Sequence, residues 1–123
     1  MTSRLDLELV REILDCIEAI DRAEATMQRH AGDLDSARVA VDAVRYRVSR
    51  ITEAVESLSP ELREDRPAVP WSDLARLPDL IDDHHDNPDP QWVRTTVGEP
   101  VKCLRAACRA IIGESVRIGE DEP

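Results

Sequence analysis

The densest group of chemically capable side chains in this sequence lies between Asp79 and Asp89. It holds five aspartates and two histidines with no lysine or arginine, and so supplies half of the formal net charge of −10. On a helix, Asp79 and Asp83 share one face, as do Asp82 and Asp86. Carboxylates mixed with the imidazoles of His84 and His85 make a donor set suited to a divalent metal. A solvated helix end running into the turn Asn87-Pro88-Asp89-Pro90 accounts for the same residues without a metal, and neither metal nor cofactor is expected. A second set stands on a predicted helix further back. There Tyr46, Arg47 and Arg50 interrupt an ordinary polar face, and together with Asp79, Asp82, Asp83, His84, His85 and Asp86 they are the candidate partner contacts. The sequence has no glycine-rich phosphate loop, no paired-cysteine zinc spacing and no serine-centred nucleophile elbow.

Helices must position these groups. The first is predicted from about Leu5 to His30, with Val10, Ile13, Leu14, Ile17, Ile20 and Met27 on one face. Ala31-Gly32-Asp33 breaks it. The second, capped by Asp35 or Ser36, ends near Ser59-Pro60. Its apolar residues Val41, Val44, Val48, Ile51, Val55 and Leu58 step by three and four, the seam of close antiparallel packing. Pro60, Pro67 and Pro70 then impose a structured link with one short helical turn at Glu61 to Glu64. Ser72 is read as the cap of a short helix carrying Leu74 and Leu77, with Pro78 starting a new turn. A last helix is predicted from roughly Pro90 to Ile112, weakened near Val97 by Gly98 and Pro100 and ended by Gly113. This gives an all-α, antiparallel bundle of about four to five helices over residues 1–113, followed by an acidic, frayed tail over 114–123.

The 123 residues suit one domain with one core. Phe is absent, so the core must be built from Leu, Ile, Val and Ala. Cys16, Cys103 and Cys108 form no Cys-x-x-Cys pair and are read as reduced, small core residues. No apolar run approaches the roughly 20 residues that span a bilayer, and no leader peptide is read, so a cytoplasmic protein with no membrane partner is expected. The negative charge argues against direct nucleic-acid binding, because phosphate affinity comes largely from Lys and Arg. It favours docking onto a basic partner.

One resemblance organises these features. Ile51-Thr52-Glu53-Ala54, followed by Pro67-Ala68-Val69-Pro70-Trp71, is similar to the HepT-like branch of the HEPN superfamily, known from bacterial toxin–antitoxin modules. Those proteins carry an Ile-Gly-Glu-Ala helix, then a proline-rich link ending in Pro-Trp. Here Thr52 replaces the glycine, and Trp92 falls where a second tryptophan is common, so the likeness extends over roughly residues 5 to 110. It implies a dimerising helical bundle and, as genetic partner, a minimal nucleotidyltransferase of the MNT type. Active members are ribonucleases with an Arg, four residues, a His, one residue and a Tyr, and the partner silences them by nucleotidylating that Tyr.

Counted from Trp71, the arginine position is Pro78, the histidine position Asp83 and the tyrosine position His85. A one-residue slip brings His84 to the histidine position and Asp79 to the arginine position. Arg76 leads, after four residues, to Ile81. Metal-independent RNA cleavage needs a base that titrates near neutrality and a cation for the phosphorane. Pro78 supplies neither, and Asp79 or Asp83 would repel RNA. No catalytic residue is therefore assigned. The expectation is an antitoxin-type binding protein that masks a nucleotidyltransferase toxin. The alternative is a HEPN ribonuclease toxin using His84 and His85 as an unusual acid–base pair.

Overall fold

The computed structural model describes residues 2–84 and 89–121. These form six helices and no strand: α1 (Arg4–Arg29), α2 (Leu34–Ser57), α3 (Pro60–Glu64), α4 (Trp71–His84), α5 (Pro90–Thr96) and α6 (Gly98–Asp121). The all-α bundle expected from periodicity is present. Its long elements are α1, α2, α4 and α6; α3 and α5 are short pieces in the connections.

Cross-links give the arrangement. Glu12 of α1 meets Arg50 of α2, and Asp6 meets Ser59 just beyond α2, so the first two helices are antiparallel. Arg45 of α2 meets Asp82 near the end of α4, and Asp21 of α1 meets Arg105 near the start of α6. Arg66, before α4, meets Glu114 late in α6. The long helices thus alternate up, down, up and down. The largest pairing is α1 on α2. Its seam is the predicted one, since Val41, Val44, Val48, Ile51, Val55 and Leu58 are all buried. They close on Val10, Ile13, Ile17, Ile20 and Met27 of α1 in one continuous aliphatic core.

Several local expectations need correction. The cap of α2 is Asp33, not Asp35 or Ser36: its carboxylate accepts from the Asp35 and Ser36 amides at 3.1 and 3.4 Å and from the Ser36 hydroxyl at 2.8 Å. These bonds, led by that of the Ser36 hydroxyl, hold the Asp33 carboxyl below its ordinary range. Gly32, at φ 91°, takes the left-handed turn that aims Asp33 at the helix.

Helix α4 is one element from Trp71, with Pro78 inside it rather than starting a new turn. An interior proline costs about 3 kcal/mol. Leu74, Leu77 and Ile81 are each no more than 2% exposed on the helix's inner face, and burying each is worth about 1.5–3 kcal/mol, which outweighs that cost.

The predicted last helix is two. The chain breaks at Val97, a fully buried residue, and Pro100 falls in the first turn of α6, where no amide hydrogen is needed. Gly113 does not end α6, which continues to Asp121. Glycine in a helix costs only about 1 kcal/mol; here Ile111 is buried on one side of it, and on the other Glu114 is tied to Arg66.

Of the thiols, Cys16 and Cys108 are core residues, and burial pushes the Cys108 thiol up to about 12. Cys103 is exposed, contrary to the reading that all three serve the core. No described helix is long and apolar enough to cross a membrane.

Candidate partner interface on the fourth helix

The carboxylates of the acidic stretch reach solvent because the apolar half of α4 is fixed inward. Trp71 starts the helix, and its indole N–H donates to two carbonyls, those of Arg63 and Arg66, both at 3.1 Å. The ring thereby ties α4 to the preceding link. With Leu74, Leu77 and Ile81 inside, helical spacing turns Asp79, Asp82 and Asp83 outward, and all three are exposed.

They are not equivalent. Asp82 Oδ1 lies 2.6 Å from Arg45 Nε and bridges α4 to α2. Asp79 and Asp83 carry no ion pair among the described residues and present their charge to solvent. Arg76 is exposed one turn before Asp79. Among the described residues no three carboxylate, imidazole or thiol groups are placed to hold a metal ion. His84 is the last residue of α4, while His85 and Asp86 lie outside the described residues.

The α2 candidates divide as well. Tyr46 is 58% exposed, and the Arg47 guanidinium stands 5.3 Å from its ring centroid, a cation–π contact. Arg50 bonds to Glu12 of α1 and, at 3.5 Å, to Glu53. It braces the α1–α2 pair, which leaves Tyr46 and Arg47 as the outward members of that set. The structure joins α2 to α4 through Arg45, which is not among the candidates, and Asp82, which is.

Several working residues had no sequence signal. Arg45 sits among exposed α2 positions, and only the packing of α2 on α4 brings Asp82 to it. Asp6 is the one buried charged residue among the described residues, accepting from the Ser59 amide at 3.0 Å and the Ser59 hydroxyl at 2.7 Å. Its partner lies 53 residues away, beyond the reach of any local pattern. Glu24 lines a cleft of about 230 Å³ between α1, α5 and α6, with Asp21, Arg94, Lys102 and Arg105 around it. Its Oε1 is buried without a hydrogen-bond partner. Burial first, and then the nearby Asp21 charge, raise this carboxyl above its ordinary 4.5, against the pull of Arg94 and Arg105.

Two of the three positions matched to the nuclease motif fall among the described residues. Pro78 is half-buried in the middle of α4, and Asp83 is exposed at its end. Neither offers a cation or an imidazole. Comparison with known families gives a match to a model described as ribonuclease HepT-like over residues 6–111. Comparison with curated proteins and with solved structures gives no match. The matched range runs from the first turn of α1 to the middle of α6 and takes in the whole of the described core. The chain belongs to the HepT-like family.

Proposed function

We propose that this chain is an antitoxin-type binding protein, which neutralises a cognate nucleotidyltransferase toxin of the MNT type by direct contact. The observation that carries this reading is the outer surface of α4, where aspartates stand at and beside the positions at which the resemblance sets a nuclease's arginine and histidine. Such a surface repels a phosphate backbone and attracts a basic one. A nucleotidyltransferase that modifies tRNA needs a basic groove to hold it. Asp79 and Asp83, both exposed and without an ion pair among the described residues, would enter that groove and compete with tRNA by charge and by volume.

Nothing here requires chemistry from the antitoxin. The chain supplies a rigid helix whose inner face is locked by Leu74, Leu77 and Ile81, so the carboxylates are held in place before binding and little ordering entropy is lost. Asp82 contributes less, since Arg45 already neutralises it.

The test is co-expression with a nucleotidyltransferase encoded beside it. The expected result is a stable complex and restored growth of a host that carries the nucleotidyltransferase. Asp79→Lys with Asp83→Lys should abolish rescue while leaving the chain folded. Growth arrest caused by this chain alone, and relieved by His84→Ala with His85→Ala, would instead establish the ribonuclease alternative.

A further inference from the structure

A shallow pocket of about 420 Å³ opens beside the start of α4, lined by Pro60, Arg63, Glu64, Pro67 and Trp71. Its walls are flat and apolar: an indole and two pyrrolidine rings. The indole is held by its N–H bonds to the Arg63 and Arg66 carbonyls, so this wall is rigid before anything binds.

Arg63 sets the chemistry. Arg45, Arg50, Arg66 and Arg105 each pair with a carboxylate of this chain. Arg63 has no such partner among the described residues, although the chain has 26 acidic residues, and its Nε is buried without an acceptor. A guanidinium without an ion-pair partner among the described residues, beside an apolar pocket, can donate charge-assisted hydrogen bonds to an incoming carboxylate. An arginine beside an aromatic wall is also the composition of an interface anchor point.

Position ties the pocket to the acidic surface. Trp71, Ala75 and Asp79 follow one another at steps of four along α4, so the pocket and the Asp79 carboxylate lie on one flank, about 12 Å apart along the axis. A single partner surface laid along α4 would meet both.

We infer that the Pro60–Arg63–Pro67–Trp71 pocket receives a segment of the nucleotidyltransferase in which an aromatic or proline side chain stands next to a carboxylate. The ring packs on Trp71 and between the prolines, and the carboxylate pairs with Arg63. Glu64 at the rim keeps the carboxylate on the Arg63 side. This inference rests on the proposed function and adds a second, oppositely signed contact. The antitoxin offers carboxylates at one end of α4 and a cation in an apolar pocket at the other. Such a pattern rejects partners that are merely basic.

The experiment measures binding of the purified nucleotidyltransferase encoded beside this chain. Arg63→Glu and Pro67→Glu should each weaken binding about tenfold, with Arg63→Lys within about threefold because it keeps the charge. The Arg63 side chain makes no ion pair or hydrogen bond among the described residues, so its variants should stay folded, which a thermal melt checks. Arg11→Gln, on the exposed side of α1, serves as the unaffected control. A photo-crosslinker at position 67 should capture the nucleotidyltransferase. If the wild-type chain binds and both glutamate variants bind as well as it does, the pocket is not the docking site, and the proposed function stands without it. Capture at position 67 of a second copy of this chain alone overturns the assignment in favour of self-association. A wild-type chain that does not bind at all overturns the proposed function, and this inference with it.

Discussion

Asp6 shows how much one side chain can fasten in a chain with few polar contacts in its interior. It is 4% exposed and takes both the amide and the hydroxyl of Ser59. It therefore caps α3 indirectly, by orienting the serine whose oxygen also accepts from the Leu62 amide. Hydrogen bonds to a charged group are worth about 1.5–3 kcal/mol each. Asp6→Ala should lower the unfolding free energy by about 2 kcal/mol, read as a lower urea midpoint at unchanged slope. Glu24 works the other way. Its carboxyl titrates above the unfolded value, so the native state favours the protonated form. Stability from this group is complete below the unfolded pKa and is lost as pH rises through the folded one. Glu24→Gln should therefore raise the melting temperature at pH 7 and have no such effect near pH 4. A variant less stable than wild type at neutral pH would mean that the attraction of Arg94 and Arg105 outweighs burial.

Among the elements, α4 has most at stake. Its interior proline removes the amide that would bond to the Leu74 carbonyl. Pro78→Ala should raise stability by about 1–2 kcal/mol, the helical gain less the entropy that proline removes from the unfolded chain; equilibrium denaturation would show it. The same helix marks the limit of what the sequence reveals. In α1 and α2 the regular steps of three and four dictated both existence and facing, and the buried residues are the expected ones with few exceptions. In α4 and α6 the local rules for proline and glycine pointed to breaks at Pro78 and Gly113, and tertiary packing overrode both. At Val97 a break does occur, yet the residues that signalled it, Gly98 and Pro100, lie inside the following helix. The site was half legible. That Asp79, Asp82 and Asp83 face solvent follows from their spacing against Leu74, Leu77 and Ile81. That Asp82 is spent on Arg45, and Arg50 on Glu12, depends on how helices pack and leaves no trace in either segment alone.

For the molecule as a whole, charge and burial make separate predictions. With a net charge of −10 and exposed aspartates toward one end of α4, association with a basic partner should slow about tenfold as salt rises from about 0.1 M to about 0.5 M. Stopped-flow mixing would measure this, and a rate indifferent to salt would remove electrostatic steering from the account. Burial has a different consequence through the cysteines. Cys103 sits on the outside of α6, whereas Cys16 and Cys108 are 2% exposed on two different helices of the same core. A thiol reagent added to the native chain should therefore consume one equivalent at once. The other two should follow only as fast as the bundle opens, and both at one rate if α1 and α6 open as a unit. The chain thus carries its own clock: three identical atoms, one timing the reagent and two timing the protein.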